Sequence, residues 1–147
     1  MKIVVDMDNT LFDDFGQRVR PGILTLLAAL LKDGHELVLW TSSTRERAVR
    51  LLAEHKVVPL FTAFRYREDY DPGNTGAFKD LRAIGADAII DDDPKQVDFA
   101  KSIGKIGILV TSYRGGPLKP DDLAHVLPAL TPPKKGWLRW LNDERPR

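Results

Sequence analysis

The chain has 147 residues, 43% of them hydrophobic and 29% charged, which suffices for one soluble globular domain but not for two independent ones. Its 22 Lys and Arg residues against 21 Asp and Glu residues give a formal net charge of +1, which excludes a general electrostatic attraction to nucleic acid or acidic membranes. No apolar run could span a bilayer, and cysteine is absent, which excludes disulfides, thiolate catalysis and Cys-bound zinc and fits a cytoplasmic protein.

Short apolar runs alternate with helical patterns along the chain. Leucines at helical spacing that begin after Pro21-Gly22 and stop before Gly34 predict a helix. Ser43-Thr44-Arg45-Glu46 has the Ser-x-x-Glu form of a capping box, and Asp93-Pro94 suits a helix start. The predicted order is strand 3–5, helix 23–31, strand 37–40, helix 43–52, strand 60–64, helix 77–84 closed by Gly85, strand 88–90 ending at Asp91, a helix from Asp93, and strand 106–110.

Alternation of strands and helices, with strands that are apolar throughout, is typical of a parallel sheet covered by helices on both faces. We therefore predict an α/β, three-layer, Rossmann-like fold. Ligands of such folds bind beyond the carboxyl ends of the strands, so the residues that follow each strand are the first candidates for a functional site.

One shift in composition divides the chain. Residues 1–130 are predicted to form the folded domain, and Thr131-Pro132-Pro133-Lys134-Lys135 reads as a linker. The remaining residues, which include Trp137, Trp140 and Leu141, are predicted to form a short aromatic helix within the segment 131–147. We expect it to pack against its own domain rather than to anchor a membrane or a partner, because one short stretch offers little apolar area.

Polar residues follow three of the predicted strands. The residues are Asp6 and Asp8 after the first strand, Thr41 and Ser42 after the second, and Asp91 to Asp93 after the fourth. Carboxylates brought together at one sheet edge repel each other unless a divalent cation lies among them, and oxygen-only ligands favour Mg²⁺ over zinc. Lys79 could bring a positive charge to the same edge. The alternative is that these acids are ordinary turn and capping residues and that Lys79 is solvated.

Four segments of the chain, in this order, resemble the four motifs of the haloacid-dehalogenase (HAD) superfamily. They are Asp6-Met7-Asp8-Asn9-Thr10-Leu11, Leu39-Trp40-Thr41-Ser42, Lys79, and Ile89-Ile90-Asp91-Asp92. Each match alone is weak, but all four occur in order and in the expected structural context. The resemblance covers the chain from Lys2 to about Val110 and implies a HAD-type phosphatase.

A closer likeness lies within that superfamily. Tyr66-Arg67-Glu68, Phe78-Lys79-Asp80-Leu81 and Ile90-Asp91-Asp92-Asp93-Pro94 are similar to segments of the small C-terminal-domain phosphatases and their NLI-interacting-factor-like relatives. Those proteins usually carry DLDETL in the first motif and Asn where Asp92 stands here. These departures leave the chemistry of the superfamily intact and weaken the inference of a phosphoprotein substrate.

The resemblance implies a catalytic role for each of the matching residues. Asp6 would attack phosphorus and form an aspartyl-phosphate, and Asp8 would protonate the leaving alcohol and then activate water. Thr41 and the backbone N–H of Ser42 would hold a phosphoryl oxygen, while Lys79 would offset negative charge.

The resemblance also implies a Mg²⁺ site. Asp6, the backbone carbonyl of Asp8, Asp91 and Asp92 would bind the ion, and the sequence leaves open whether Asp91 or Asp92 is the direct ligand. Thr10 is expected to order the turn after the nucleophile rather than to touch the substrate.

The spacing of the motifs predicts an open site. Only about 30 to 40 residues separate the first motif from the second and the second from Lys79, and predicted helices and strands use them up, so no cap domain fits. An uncapped site suits a bulky phosphorylated substrate, either a phosphoprotein or a nucleotide or nucleic-acid end. The alternative function is a non-catalytic phosphate-binding or interaction module on the same fold.

Two further groups of residues are candidates for a role in the site. We interpret His35, His55 and His125 as surface or hydrogen-bonded residues without a catalytic role. Five arginines could line the rim and meet an anionic substrate, but a solvated face is the commoner outcome for such residues; they are Arg45, Arg47, Arg50, Arg65 and Arg67.

Overall fold

The computed structural model describes residues 1–130, which form a five-stranded, all-parallel sheet of order β3-β2-β1-β4-β5 with helices on both faces. The predicted appended segment, 131–147, lies outside the described residues. The strands are β1 (Lys2–Val5), β2 (Glu36–Trp40), β3 (Ala63–Arg65), β4 (Ala88–Asp91) and β5 (Ile106–Leu109), and the helices are α1 (Ile23–Lys32), α2 (Arg45–Glu54), α3 (Arg67–Tyr70), α4 (Pro94–Ser102) and α5 (Val126–Leu130). The predicted three-layer α/β fold is confirmed.

The central strands are buried on both faces, which explains their continuously apolar sequences. Successive residues of a strand point to opposite faces, so Ile3 and Val5 enter one core while Val4 enters the other. The first core includes the buried faces of α1, α2 and α5, and the second is a smaller cluster that includes residues of α4 and of the segment before β4. These two cores make the three layers.

One predicted helix start differs in detail from the structure, while α1 begins at Ile23 as predicted. The N-cap of α2 is Thr44, whose hydroxyl accepts a hydrogen bond from the backbone N–H of Arg47 at 3.5 Å, so the capping box predicted from Ser43 is wrong by one residue. The hydroxyl of Ser43 instead accepts a hydrogen bond of 3.0 Å from the guanidinium of Arg47. Pro21 lies just before the N-cap of α1, which is Gly22 at φ 81°.

Two predicted elements of the middle region are shifted or lost. The strand predicted at 60–64 begins only at Ala63, because Val58–Leu60 forms a 3₁₀ turn that contains Pro59. The helix predicted at 77–84 is reduced to a 3₁₀ turn over Leu81–Ile84, closed by Gly85 at φ 63°. The preceding residues are not helical, and the Lys79 side chain is buried there.

The order of the strands places a crevice at the carboxyl end of β1. This strand pairs with β2 on one side and β4 on the other. The strands β2 and β3 therefore extend the sheet in one direction from β1, and β4 and β5 extend it in the opposite direction. Such a switch point is where open α/β sheets bind ligands. Within residues 1–130, the segments between the four motifs are occupied by the helices, strands and turns described above, and no cap domain is present.

Candidate active site

Three strand ends bring the first set of predicted site residues together. Asp6 directly follows β1 and its backbone N–H donates to Ile90 of β4 at 3.0 Å, while Asp91 is the last residue of β4. Thr41 directly follows β2 and its backbone N–H donates to Arg65 at 3.0 Å. The backbone hydrogen bonds therefore fix these residues at one edge of the sheet.

Lys79 lies at the centre of this edge. Its Nζ is 2.8 Å from Asp6 Oδ1 and 2.8 Å from Asp91 Oδ2, and all three side chains are buried. Its backbone N–H donates to the side chain of Gln96 at 2.8 Å, which holds the non-helical segment in place. The lysine reaches the site from an irregular segment that precedes the 3₁₀ turn Leu81–Ile84, not from the predicted helix.

A third carboxylate completes the cluster around a buried hydroxyl. Oxygen atoms of Asp6, Asp91 and Asp92 lie within 4.8 Å of one another. Thr10 Oγ1 is 2.9 Å from Asp6 Oδ2 and 3.2 Å from Asp92 Oδ1, and it accepts a hydrogen bond from the backbone N–H of Asp92 at 3.1 Å. Thr10 thus connects the first and fourth motifs, a contact between residues 82 apart in sequence that the sequence analysis missed.

The acidic cluster has more negative charge than its one lysine can balance. Burial raises the pKa of Asp6 to about 6 and that of Asp91 to about 7, although Lys79 opposes both shifts. For Lys79 itself, burial lowers the pKa, but the two neighbouring carboxylates outweigh it and raise the pKa above its ordinary value. Three carboxylates around one buried cation are what a hard divalent ion stabilises, so the residues present fit Mg²⁺.

Asp8 does not join this cluster in the described structure. Its two carboxylate oxygens each accept a hydrogen bond of 2.9 Å from the guanidinium of Arg47, and its side chain is 28% exposed. The hydrogen bond to Asp8 is the main cause of the raised pKa of Arg47. The expectation that Arg47 is a solvated residue is wrong, because it forms a bidentate ion pair with a candidate catalytic residue.

The loop after β2 is ordered by its own polar groups. Thr41 is buried, and its Oγ1 accepts a hydrogen bond from the backbone N–H of Ser43 at 3.0 Å. Ser42 faces the cleft. The loop therefore presents Ser42 to an incoming group while the Thr41 hydroxyl already supports the turn.

A cleft of about 430 Å³ opens over the cluster. It is also lined by Asn9, Asp93 and Pro94, which lie in the quoted motifs but were given no role in the site, and by three residues that the sequence analysis did not select, which are Gln96, Ser112 and Arg114. Ser112 and Arg114 follow β5, so the rule that strand ends converge could have identified them. The buried hydroxyl of Ser112 has no hydrogen-bond partner among the described residues. Gln96 carried no signal in the sequence, because its contact depends on how α4 packs.

The three histidines are hydrogen-bonded away from this cleft. Nε2 of His55 is 2.7 Å from the carbonyl oxygen of Gly16, and Nε2 of His125 is 2.7 Å from that of Leu109. Nδ1 of His35 is 3.1 Å from the N-terminal amine. None of them lines the cleft.

The sequence matches a known family over most of its length. Residues 1–134 match the family described as NLI interacting factor-like phosphatase. The chain belongs to this family. It is therefore a HAD-type phosphatase, and the predicted enzyme class is confirmed. No curated protein matches the chain significantly.

Solved structures share the fold at low sequence identity. The protein assigned as a β-phosphoglucomutase from Thermotoga maritima is 14% identical, with a TM-score of 0.62 over 97% of this chain and 99% of that chain. The core domain of a protein assigned as a phosphoglycolate phosphatase from Streptococcus pneumoniae TIGR4 is 18% identical, with a TM-score of 0.53 over 86% of this chain and 94% of that chain. A chain of the Pnkp1/Rnl/Hen1 complex is 19% identical, with a TM-score of 0.55 over 76% of this chain and 46% of that chain.

The helices of this phosphatase are short. Among those in residues 1–130, none has the length and apolar character that crossing a membrane requires.

Proposed function

We propose that this phosphatase hydrolyses phosphate monoesters with Mg²⁺ through a phosphorylated Asp6. The observation that carries the proposal is the position of Asp6, which lies at the floor of the cleft between a lysine and two further carboxylates. Its two oxygens have different partners, Lys79 for Oδ1 and Thr10 for Oδ2. The carboxylate is thereby held in one orientation for an in-line attack.

The reaction has two displacement steps. An oxygen of Asp6 forms a bond to phosphorus while the bond from phosphorus to the ester oxygen breaks, and the proton on Asp8 passes to the departing alkoxide. A water molecule then gives a proton back to Asp8 and attacks phosphorus, which releases inorganic phosphate and restores the Asp6 carboxylate. Atoms and charges balance without any further reactant.

Asp8 can take part only if it leaves its present partner. Both of its oxygens accept hydrogen bonds from Arg47, so the side chain is committed to this bidentate ion pair. Asp8 also lines the cleft that contains Asp6, and we infer that a rotation of its side chain brings it to the leaving group. We assign Arg47 the role of holding the resting position of Asp8.

The cation site would be formed by Asp6, Asp92 and the backbone carbonyl of Asp8. Asp91 is the weaker candidate for direct binding, because its Oδ2 is 2.8 Å from Lys79 and its Oδ1 accepts from the backbone N–H of Asp93 at 3.0 Å. Asp91 would instead orient Lys79. When bound, Mg²⁺ neutralises the charge that repels an incoming phosphate from the acidic cluster.

The phosphate would be bound by the second and third motifs, which are Thr41-Ser42 and Lys79. Lys79, buried among acids, offers its charge to a phosphoryl oxygen next to Asp6, and Ser42 faces the cleft with the backbone N–H that would donate to another oxygen. Thr41 supports this loop through the hydrogen bond from Ser43. The site as a whole would hold a tetrahedral anion against the nucleophile.

The open cleft favours a bulky substrate. No cap domain covers it within the described residues, so the phosphate of a phosphoprotein or of a nucleotide or nucleic-acid end could reach Asp6. The net charge of +1 favours the protein substrate, since a nucleic-acid chain is best attracted by a basic surface.

The first experiment compares hydrolysis of a generic aryl phosphate by the wild type and Asp6→Asn, each with and without Mg²⁺. We expect metal-dependent turnover by the wild type and a loss of several powers of ten in Asp6→Asn, because a neutral amide cannot form the phosphoenzyme. Thermal unfolding of both proteins shows whether the variant is folded. A wild type that shows no turnover above the variant on any monoester would favour the non-catalytic phosphate-binding module.

A further inference from the structure

A second depression adjoins the catalytic cleft. It has a volume of about 280 Å³ and is lined by Asp8, Ser42, Ser43, Thr44, Arg47 and Arg67. Two of these residues, Asp8 and Ser42, also line the cleft that contains Asp6. A substrate whose phosphate lies at Asp6 would therefore extend over this depression in one direction.

Arg67 is positioned in this depression with binding capacity to spare. Its Nε donates to the carbonyl oxygen of Ser42 at 2.8 Å, and its backbone N–H donates to the carbonyl oxygen of Ser43 at 3.0 Å. Within residues 1–130 neither Nη atom of Arg67 has a hydrogen-bond or ion-pair partner, and the residue is only half-buried. The side chain is thus anchored at one nitrogen and presents the other two.

Two donors near Arg67 already bind carboxylates of this chain. Arg47 holds Asp8 through two hydrogen bonds of 2.9 Å. At the first turn of α2, the backbone N–H of Arg45 donates to both oxygens of Glu68, at 2.8 and 3.2 Å. Each of these donors is paired with a carboxylate of this chain. Of the two arginines that line the depression, Arg67 is the one that has no carboxylate partner within residues 1–130.

We propose that Arg67 forms a subsite for a carboxylate that lies next to the phosphorylated residue of a peptide substrate. A guanidinium binds a carboxylate in planar, bidentate geometry, which suits the two Nη atoms left free when Nε is fixed. The open cleft and the near-neutral charge of the chain favour a peptide over a polyanion. This inference rests on the proposed function and adds the class of substrate, a phosphopeptide with an acidic neighbour.

The test compares two phosphoserine peptides that differ only in Glu or Gln at the positions flanking the phosphoserine. For the wild type, kcat/KM is expected to be about tenfold higher for the Glu peptide, mainly through a lower KM. Arg67→Gln is expected to abolish this ratio. Arg50→Gln is the matched control, because Arg50 lies on the exposed side of α2, paired with Glu54, and does not line the depression.

The ratio separates binding of the acidic group from a structural role of Arg67. If Arg67 only supports the loop at Ser42, Arg67→Gln lowers the turnover of both peptides by the same factor, and this outcome overturns the subsite. A wild type that hydrolyses both peptides equally also overturns it, without affecting the proposed phosphatase chemistry. A nucleoside bisphosphate preferred over both peptides, with the same dependence on Arg67, overturns the peptide assignment. If neither peptide nor aryl phosphate is hydrolysed, the proposed function itself fails.

Discussion

At the scale of single residues, four charged groups share one edge of the sheet. Three carboxylates have oxygen atoms within 4.8 Å of each other, and among residues 1–130 Lys79 is the one cation that contacts them, at Asp6 and Asp91. Like charges so close together raise their proton affinity, as does burial. The carboxylates of the cluster therefore repel each other, and either a divalent cation or a proton reduces this repulsion. The cation and the proton must compete for the same carboxylate oxygens.

This competition predicts that Mg²⁺ binding weakens as the pH falls. Asp6 and Asp91 have pKa values raised to about 6 and about 7, so both take up protons between pH 8 and pH 5. Because Mg²⁺ needs the ionised carboxylate of Asp6, we expect its affinity to fall by about tenfold or more over this range. Titration calorimetry in two buffers of different ionisation enthalpy would also detect the protons released on binding.

Asp98→Asn serves as the control for this titration. Asp98 is exposed on α4. Its replacement by Asn removes one negative charge from the protein, as protonation of one carboxylate of the acidic cluster does. We expect the affinity and its pH dependence to be unchanged in this variant. An affinity for Mg²⁺ that stays constant from pH 8 to pH 5 would contradict the assignment of Asp6 as a ligand.

At the scale of elements, the sequence predicted the five strands and the helices α1, α2 and α4, but it missed α3 and α5 and misplaced the elements between α2 and β4. The run 60–64 is largely apolar, but the 3₁₀ turn Val58–Leu60, which contains Pro59, delays β3 to Ala63. The pattern of 77–84 looked helical, yet Phe78 is 49% exposed and stacks on Phe99 while Lys79 is buried. That alternation of outward and inward side chains is what the site needs to bring the lysine to Asp6, and a local pattern does not contain it.

The close packing of α4 on β5 leads to a prediction about stability. A Cβ atom on Gly107 of β5 would lie 2.6 Å from the carbonyl oxygen of Val97 on α4, which is backbone and cannot rotate away. We expect Gly107→Ala to lower the free energy of unfolding by about 1–3 kcal/mol, as overpacking does. Denaturant unfolding measures the change.

Gly116→Ala is the matched control for the packing argument. Gly116 has no atom within 4 Å of its Cβ position, and its φ is not in the left-handed region. The same methyl group should therefore change the stability of the protein little there. Equal stability of the two variants would show that α4 and β5 are not packed as closely as described.

At the scale of the whole molecule, the sequence contained the four motifs but not the contacts that join them. The rule that the carboxyl ends of parallel strands meet at one edge correctly placed Asp6, Thr41 and Asp91 together, because β1, β2 and β4 are adjacent and parallel. It could not predict that Arg47 on α2 would pair with Asp8, or that Thr10 would contact Asp92. Those pairs are 39 and 82 residues apart, and they depend on how helices and loops pack against the finished sheet.

The arrangement of the molecule is that of a phosphatase with an open site. The membership of the NLI interacting factor-like phosphatase family accounts for the motifs, and the absence of a cap over the described residues accounts for the exposed cleft. Specificity must then come from the rim, which is where Arg47 and Arg67 lie.

The measurement that tests the central proposal most directly is a search for the phosphoenzyme in Asp8→Asn by mass spectrometry after acid quench during turnover of an aryl phosphate. The variant keeps the nucleophile but lacks the base that activates water, so the intermediate should accumulate. We predict one phosphoryl group on the peptide that contains Asp6, formed only with Mg²⁺ present. Phosphate release by this variant with no phosphoryl group on Asp6, or with the group on another residue, would contradict the account.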